Sequence, residues 1–371
     1  MSNYKYKILF TGGGTGGSVS PLLAIAEEMR SLIESEEINF LWLGGRNGIE
    51  KEMVEKIGIP FKSISSGKFR RYFSLKNLTD IFLVMAGFFE SIYYILKWRP
   101  GVILSAGSFV SVPVVWAGWL LKVPVIIHQQ DVRPGLANKL MTPFCKIVTV
   151  TFEKSLNDYG KKARLIGNPI RKELSNKNQE LSALRIKYNL KENLPTLLVL
   201  GGGTGAAGIN QLIWDSLYKL TEFCQIIHAT GKGKLGASLK KESKNYKGFE
   251  FLNIYQMSEV LNMADLVISR CGMSTLAELS YFGKATILIP MPDSHQEDNA
   301  KVFKDEEAAL VFDQNQLTPD ILSKTILELL SDDLLLNTLR KNIKSIIKID
   351  TNKEMIGIVK DLLNKSINTR G

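Results

Sequence analysis

The 371-residue chain is poor in several chemically useful features. Its 3 cysteines, Cys145, Cys224 and Cys271, form no CxxC pair and no metal-ligand spacing, so reduced, buried thiols in a cytosol are expected. Its 3 histidines leave few imidazoles for acid–base work. No stretch offers about 18 consecutive apolar residues, so no transmembrane helix is expected. The N-terminal MSNYKYKILF has no apolar run of the kind that opens a signal peptide. GxxxxGK[ST] is absent, and so is a DxD pair; no cofactor is expected, and no metal held by the protein to carry a diphosphate. No acidic residue closes LWLGGRNG (41–48), where a ribose-binding carboxylate is wanted, so nicotinamide binding is disfavoured.

What is present is a repeated grammar. Short apolar runs alternate with helical patterns, first at YKILF (6–10), INFLWLG (38–44), GVILSAG (101–107), VPVIIH (123–128) and KIVTVTF (146–152). The pattern restarts at PTLLVLGGG (195–203) and continues through QIIHATG (225–231), FEFLNI (249–254), DLVISRCG (265–272) and KATILIPMP (284–292). Near-continuous apolar strands suit parallel sheets buried on both faces, and strand–helix alternation makes each half a doubly wound α/β domain. Two Rossmann-like halves facing across a cleft are expected, 1–166 and 167–349, with the hinge near IGNPIR (166–171) and a helix over about 350–368 returning to the first half. Net charge is +10, and residues 1–170 carry 21 Lys/Arg against 13 Asp/Glu. The basic first half suits an anionic surface. Nucleic acid has only this charge in its favour and is not expected as a partner.

Two glycine runs stand out, TGGGTGGSVSPLLA (11–24) and LGGGTGAAGIN (200–210), each leaving a strand and opening a helix. Glycines let backbone N–H groups at a helix N-terminus approach a phosphate, so each loop is suited to a diphosphate; a tight strand-to-helix turn without ligand is the other reading. RCGMSTLAE (270–278) offers N–H groups for phosphate and then Glu278, whose carboxylate can accept both hydroxyls of a ribose; a helix capped by Ser274 is the alternative. HQEDNA (295–300) clusters His295, Gln296 and Asn299, suited to sugar hydroxyls or to an ordinary surface.

GGTGG followed by V-x-P, GSFVSVP (107–113), IIHQQDVRPGLANK (126–139), IGNPIR, GGGTGA (201–206), RCGMSTLAE and HQEDNA occur together, in order, over about residues 6–300. In this the chain resembles the MurG family of peptidoglycan N-acetylglucosaminyltransferases, family 28 glycosyltransferases of the two-domain GT-B fold. The resemblance implies inverting transfer of N-acetylglucosamine from UDP-GlcNAc to the C4 hydroxyl of the muramoyl sugar of lipid I, giving lipid II, at the cytoplasmic face of the bacterial membrane. It implies that the second half binds the donor. Ile254 then lies beside the uracil, Glu278 holds the ribose, and Gly203 and Thr204 with Met273, Ser274, Thr275, Leu276 and Ala277 face the diphosphate. Arg171, His295, Gln296 and Asn299 meet phosphate or sugar. The acceptor falls to the first half, at Thr15, Gly16, Gly17, Ser108 and Phe109.

The chain departs from the family's pattern where a base is wanted. Ser18 replaces a His, Ser108 and Phe109 replace Gly-Tyr, and His128-Gln129-Gln130-Asp131 stands for His-Glu-Gln-Asn. A serine without an activator is no base at neutral pH. Asp131 is therefore the expected catalytic base, with His128 orienting its loop; the alternative is that Asp131 only caps the following turn. Another lipid-linked acceptor, or UDP-GlcNAc 2-epimerisation, are the competing functions, and the few histidines disfavour the latter.

KFRRYFSLKNLTDIFLVMAGFFESIYYILKWRP (68–100) is basic at both ends and apolar between, with an uninterrupted apolar run of only nine residues, 81–89. It reads either as a core helix or as one lying shallowly in an anionic membrane surface, with Arg70, Arg71, Tyr72, Phe73 and Leu75 as the lip.

Overall fold

The computed structural model describes residues 5–34, 37–46, 48, 50–67, 76–175, 180–202, 205–235, 244–348 and 351–368. The chain divides into two compact units, Met1–Arg171 with Lys348–Gly371, and Lys172–Ile347.

The first unit holds strands β1 (Tyr6–Thr11), β2 (Ile38–Gly45), β3 (Phe61–Ile64), β4 (Val102–Ser105), β5 (Val125–Gln129), β6 (Ile147–Val150) and β7 (Ala163–Leu165). They are all parallel, in the order β3-β2-β1-β4-β5-β6-β7. Helices α1 (Ser20–Leu32), α2 (Glu50–Lys56), α3 (Lys76–Trp98), α4 (Ser111–Leu120), α5 (Leu136–Met141) and α6 (Leu156–Tyr159) connect them. Along β1 the side chains alternate between two cores. Ile8 and Phe10 pack with Leu22, Ile25 and Met29 of α1, whereas Leu9 packs with Val112, Val114 and Val115 of α4. Helices on both faces are why the strands read as unbroken apolar runs.

The second unit holds β8 (Thr196–Leu200), β9 (Gln225–Ala229), β10 (Tyr246–Phe249), β11 (Leu266–Ser269), β12 (Thr286–Leu288) and β13 (Leu310–Val311), again all parallel, in the order β10-β9-β8-β11-β12-β13. Its helices are α7 (Leu181–Lys187), α8 (Ala207–Phe223), α9 (Ile254–Met263), α10 (Met273–Phe282), α11 (His295–Asp305), α12 (Pro319–Ser331) and α13 (Asp333–Ile346). A final helix, α14 (Thr351–Asn368), belongs to the first unit, where Met355, Ile356, Val359, Leu362 and Leu363 join the core of α1 and β1.

Three local outcomes differ from the sequence reading. The FEFLNI run is not a strand: β10 ends at Phe249, and Asn253 instead caps α9. Its side chain accepts from the amides of Tyr255 and Gln256, and the Gln256 side chain accepts from the Asn253 amide, a reciprocal box that outweighs the β-propensity of the flanking residues. The unit break falls after Arg171, not after 166, because residues 166–171 are tied into the first unit. Ile166 lies in its core, His128 bonds Asn168, and Asn352 of α14 pairs with the backbone of Ile170. Strands β3 (FKSI), β7 (ARL) and β13 (LV) carry no sustained apolar run by which the sequence could signal them.

In each sheet the chain order reverses beside the first strand, between β1 and β4 and between β8 and β11. Open α/β sheets bind ligands outside the carboxyl ends of the strands at such a point. The loops that leave these four strands begin at 12, 106, 201 and 270, and they contain the glycine motifs.

Candidate active site

The loop after β1 is built around Gly14, at φ 82°, a conformation that favours glycine. The Ser18 hydroxyl donates back to Gly13 O at 2.8 Å, so Ser18 closes the loop on itself. The Gly14 amide donates to the Glu50 carboxylate at 3.1 Å. Among the described residues, no protein acceptor takes the amides of Thr15, Gly16 or Gly17. Directly beyond, α1 begins, and its N-terminus has no side-chain cap. Unsatisfied amides ahead of a helix dipole make a site for an anion.

The neighbouring loop, after β4, places Ser108 at φ 80°, beside Gly107 at φ 91°. Thr11 of β1 donates to Ser111 of α4 at 3.3 Å, tying the two loops together. Thr15, Gly16, Gly17, Ser108 and Phe109 thus share one end of one sheet.

The third loop, after β5, carries the base candidate. His128 is fully buried and cannot reach solvent. Its Nε2 donates to Asn168 Oδ1 at 2.8 Å and its Nδ1 faces the Thr149 hydroxyl at 3.1 Å. Burial lowers its pKa from 6.5 to about 4, so the ring is neutral and serves as a support. Gln129, 2% exposed, uses its whole amide. Nε2 donates to the carbonyls of Asp131 (2.7 Å) and Arg133 (3.3 Å), while Oε1 accepts from Asn138 Nδ2 (2.5 Å) and Tyr159 OH (2.9 Å). Burial raises the Tyr159 pKa, which keeps that phenol a donor. Asp131 follows, half-buried, on a loop stapled by this amide. Sequence reasoning passed over Asn138 and Tyr159; Asn138 lay within a motif already singled out, whereas nothing around Tyr159 marked it.

In the second unit, Gly203 and Thr204 lie outside the described residues. The flanking Gly202 and Gly205 have φ of 82° and 72°, and a Cβ at Gly205 would strike the Thr230 carbonyl, so part of this glycine run answers to close backbone packing. The α10 N-terminus opens at Gly272 without a side-chain cap, and the Ser274 hydroxyl is buried with no protein partner. Ser274 is therefore not the cap that the alternative reading required. Glu278 stands one turn further on, half-buried. Gln296 braces the turn: its Oε1 accepts from the amides of Cys271 and Met291, both at 3.1 Å, leaving the side-chain NH₂ as the group free to meet a ligand. Asn299 is fully buried and donates to Cys271 O at 3.2 Å, bracing the same turn. Arg270, not foreseen, holds the carbonyls of Ile289 and Pro290 and pairs with Gln314. Ile254 and His295 begin α9 and α11.

Arg171 belongs to the first unit, and its guanidinium is committed there. Nε and Nη2 pair with the two oxygens of Glu27 on α1, at 3.1 and 2.6 Å. A bidentate, largely buried pair of this kind is strong and fixes the guanidinium against α1.

His228 in the second unit repeats the buried-imidazole theme, between Asn210 and Tyr246, with burial lowering its pKa to about 3. Both rings bind fewer protons folded than unfolded, so stability present above pH 6.5 is lost as pH falls toward the folded values. A loss of about 2 kcal/mol per ring is expected by pH 5. Thermal unfolding at pH 7.5 and 5.0 checks it: His228→Gln should flatten its share, and a pH-independent Tm would contradict the account.

The glycosyltransferase family 28 N-terminal domain model matches residues 8–150, and the C-terminal domain model matches residues 196–354. A curated relative from Clostridium perfringens (strain SM101 / Type A) is 40% identical over 331 residues, 88% of this chain and 90% of the relative. Another, from Clostridium botulinum (strain Alaska E43 / Type E3), is 38% identical over 370 residues, 98% and 99%. Both are named UDP-N-acetylglucosamine--N-acetylmuramyl-(pentapeptide) pyrophosphoryl-undecaprenol N-acetylglucosamine transferase. The crystal structure of Acinetobacter baumannii MurG superposes with a TM-score of 0.74 at 22% identity, covering 96% of this chain and 99% of that one. A putative UDP-N-acetylglucosamine 2-epimerase from Listeria monocytogenes reaches 0.70 at 12% identity, covering 97% of each, so the fold is shared more widely than any one reaction. With both domain models matched and relatives near 40% identity over most of its length, the chain belongs to glycosyltransferase family 28.

Proposed function

We propose that the protein transfers N-acetylglucosamine from UDP-GlcNAc to the C4 hydroxyl of undecaprenyl-pyrophosphoryl MurNAc-pentapeptide, lipid I, with inversion, forming lipid II. The observation that carries this reading is the full-length similarity to relatives named for that reaction. It is supported by two uncapped strand-to-helix turns, one in each unit, suited to two diphosphate-bearing substrates.

The donor belongs to the second unit. Ile254 lies by the uracil, Glu278 takes the ribose hydroxyls, the turn from Met273 to Ala277 and the loop from 201 to 205 take the diphosphate, and the Gln296 NH₂, beside His295, takes the sugar. The acceptor belongs to the first unit, its diphosphate on the Thr15, Gly16 and Gly17 amides and its sugar near Ser108 and Phe109. The Asp131 carboxylate removes the proton from the C4 hydroxyl. That oxygen attacks the anomeric carbon as the bond to UDP breaks, and UDP leaves with the electron pair, its charge met by the N–H groups of α10. Incubating purified protein with labelled UDP-GlcNAc and a lipid I analogue tests the reading. A labelled disaccharide-lipid supports it; free sugar or ManNAc alone overturns it.

We further propose that α3 seats the protein on an anionic membrane surface at the cytoplasmic face. By length and composition Asp80–Trp98 is long and apolar enough to cross a membrane, although only 22% of its most apolar window is buried. Its polar stripe turns inward: Gly87 and Ser91 are buried, and Glu90 accepts from the Ser65 amide at 2.5 Å. Phe82, Met85, Phe89, Tyr93 and Leu96 are exposed instead, the reverse of an ordinary surface helix. Residues 68–75, the lip expected from the sequence, lie outside the described residues. The protein is expected to pellet with anionic vesicles, to be released by salt, and to bind less after Phe82→Ser with Phe89→Ser. Equal partition to neutral vesicles at any salt concentration would contradict this.

A further inference from the structure

Glu50 opens α2 and is 1% exposed, yet no described lysine or arginine pairs with it. A buried carboxylate without a cation persists only where other donors satisfy it. Here the donors are two backbone amides, Gly14 N to Oε2 at 3.1 Å and Gly45 N to Oε1 at 2.9 Å. Glycines keep the space for it. A Cβ at Gly13 or at Gly48 would collide with the carboxylate, and one at Gly44 would press on its Cγ at 3.3 Å. One amide belongs to the loop after β1 and the other to the end of β2, so the carboxylate ties the loop to the adjacent strand. Trp42 of β2 adds a second tie, its Nε1 donating to Gly12 O at 3.1 Å.

We propose that Glu50 is a positioning residue for the acceptor's diphosphate. By holding the Gly14 amide it fixes the loop so that the Thr15, Gly16 and Gly17 amides are the ones left for phosphate oxygens. The proposal rests on the reading of this loop as the acceptor's diphosphate site. A negative charge near a bound phosphate is by itself unfavourable, so the direction of the effect on neutralising Glu50 separates positioning from simple repulsion.

Glu50→Gln keeps the shape but turns an NH₂ toward one of the two backbone N–H groups, so one bond is lost. Steady-state kinetics with UDP-GlcNAc and a lipid I analogue should show the acceptor KM raised about tenfold, the donor KM within about twofold of wild type, and kcat little changed. A Cβ at Gly14 would meet Ser108 Oγ at an ordinary 3.8 Å, so Gly14→Ala is strained by its φ and not by crowding. It disturbs the same loop without touching the carboxylate and should give the same acceptor-selective rise. An unchanged or lowered acceptor KM in Glu50→Gln overturns the proposal. So does a parallel rise in both KM values, or a loss of activity that merely tracks unfolded protein seen by circular dichroism. A wild-type protein that does not glycosylate the acceptor sinks the functional reading, and this proposal with it.

Discussion

Asp131→Asn is expected to lower kcat by about 10²- to 10⁴-fold, with the KM for UDP-GlcNAc unchanged. A sugar hydroxyl must lose its proton as the glycosidic bond forms, and the choice of base narrows on physical grounds. Ser18 is engaged by Gly13 O and has no activator. His128 is sealed in the core with a pKa near 4 and both ring nitrogens engaged. Gln129 cannot titrate, and Glu50 is buried under the glycine loop. In the loops that leave β1, β4 and β5, Asp131 is the one carboxylate, and it is partly exposed. The check is steady-state kinetics with both substrates varied. A kcat within about threefold of wild type would assign the proton to another group.

The second large effect is expected from Gln129→Glu. The wild-type amide donates to two carbonyls and accepts from Asn138 and Tyr159. A carboxylate there keeps the acceptors but turns an anion toward the Asp131 and Arg133 carbonyls, in a site that is 2% exposed. Leaving a buried charge against like dipoles is costly. Turnover at pH 8 should fall about ten- to a hundredfold, and the deficit should shrink toward pH 6 as the new carboxyl protonates and regains one O–H donor. The donor KM should stay near wild type, because Gln129 lies in the unit that does not carry the proposed donor site. A variant-to-wild-type ratio that does not change with pH would refute this account. Relative to the family's usual pattern, acid and amide have exchanged places between 129 and 131. The double variant Gln129→Glu/Asp131→Asn is therefore expected to lose less than the product of the two single losses, since the positions share one loop and couple.

The sequence by itself determined the doubly wound class, the strands that carry motifs, and the two glycine turns. All of these rest on local signals: apolar runs bounded by Gly and Pro, and the residues that start helices. It did not separate the cap from the strand at Asn253, or signal β3, β7 and β13, because pairing rather than pattern makes them. Tertiary structure decided the roles. Only strand order puts the loops after β1 and β4 side by side at the point where the sheet reverses. Only burial and pairing show that His128 is a brace, that Asn299 bonds Cys271 O, that Arg171 pairs with Glu27, and that Glu50 lies beneath the first glycine turn. A motif records which groups are present; which of their donors and acceptors remain for a substrate depends on neighbours far away in the chain, 144 positions between Arg171 and Glu27 and 182 between Ile170 and Asn352.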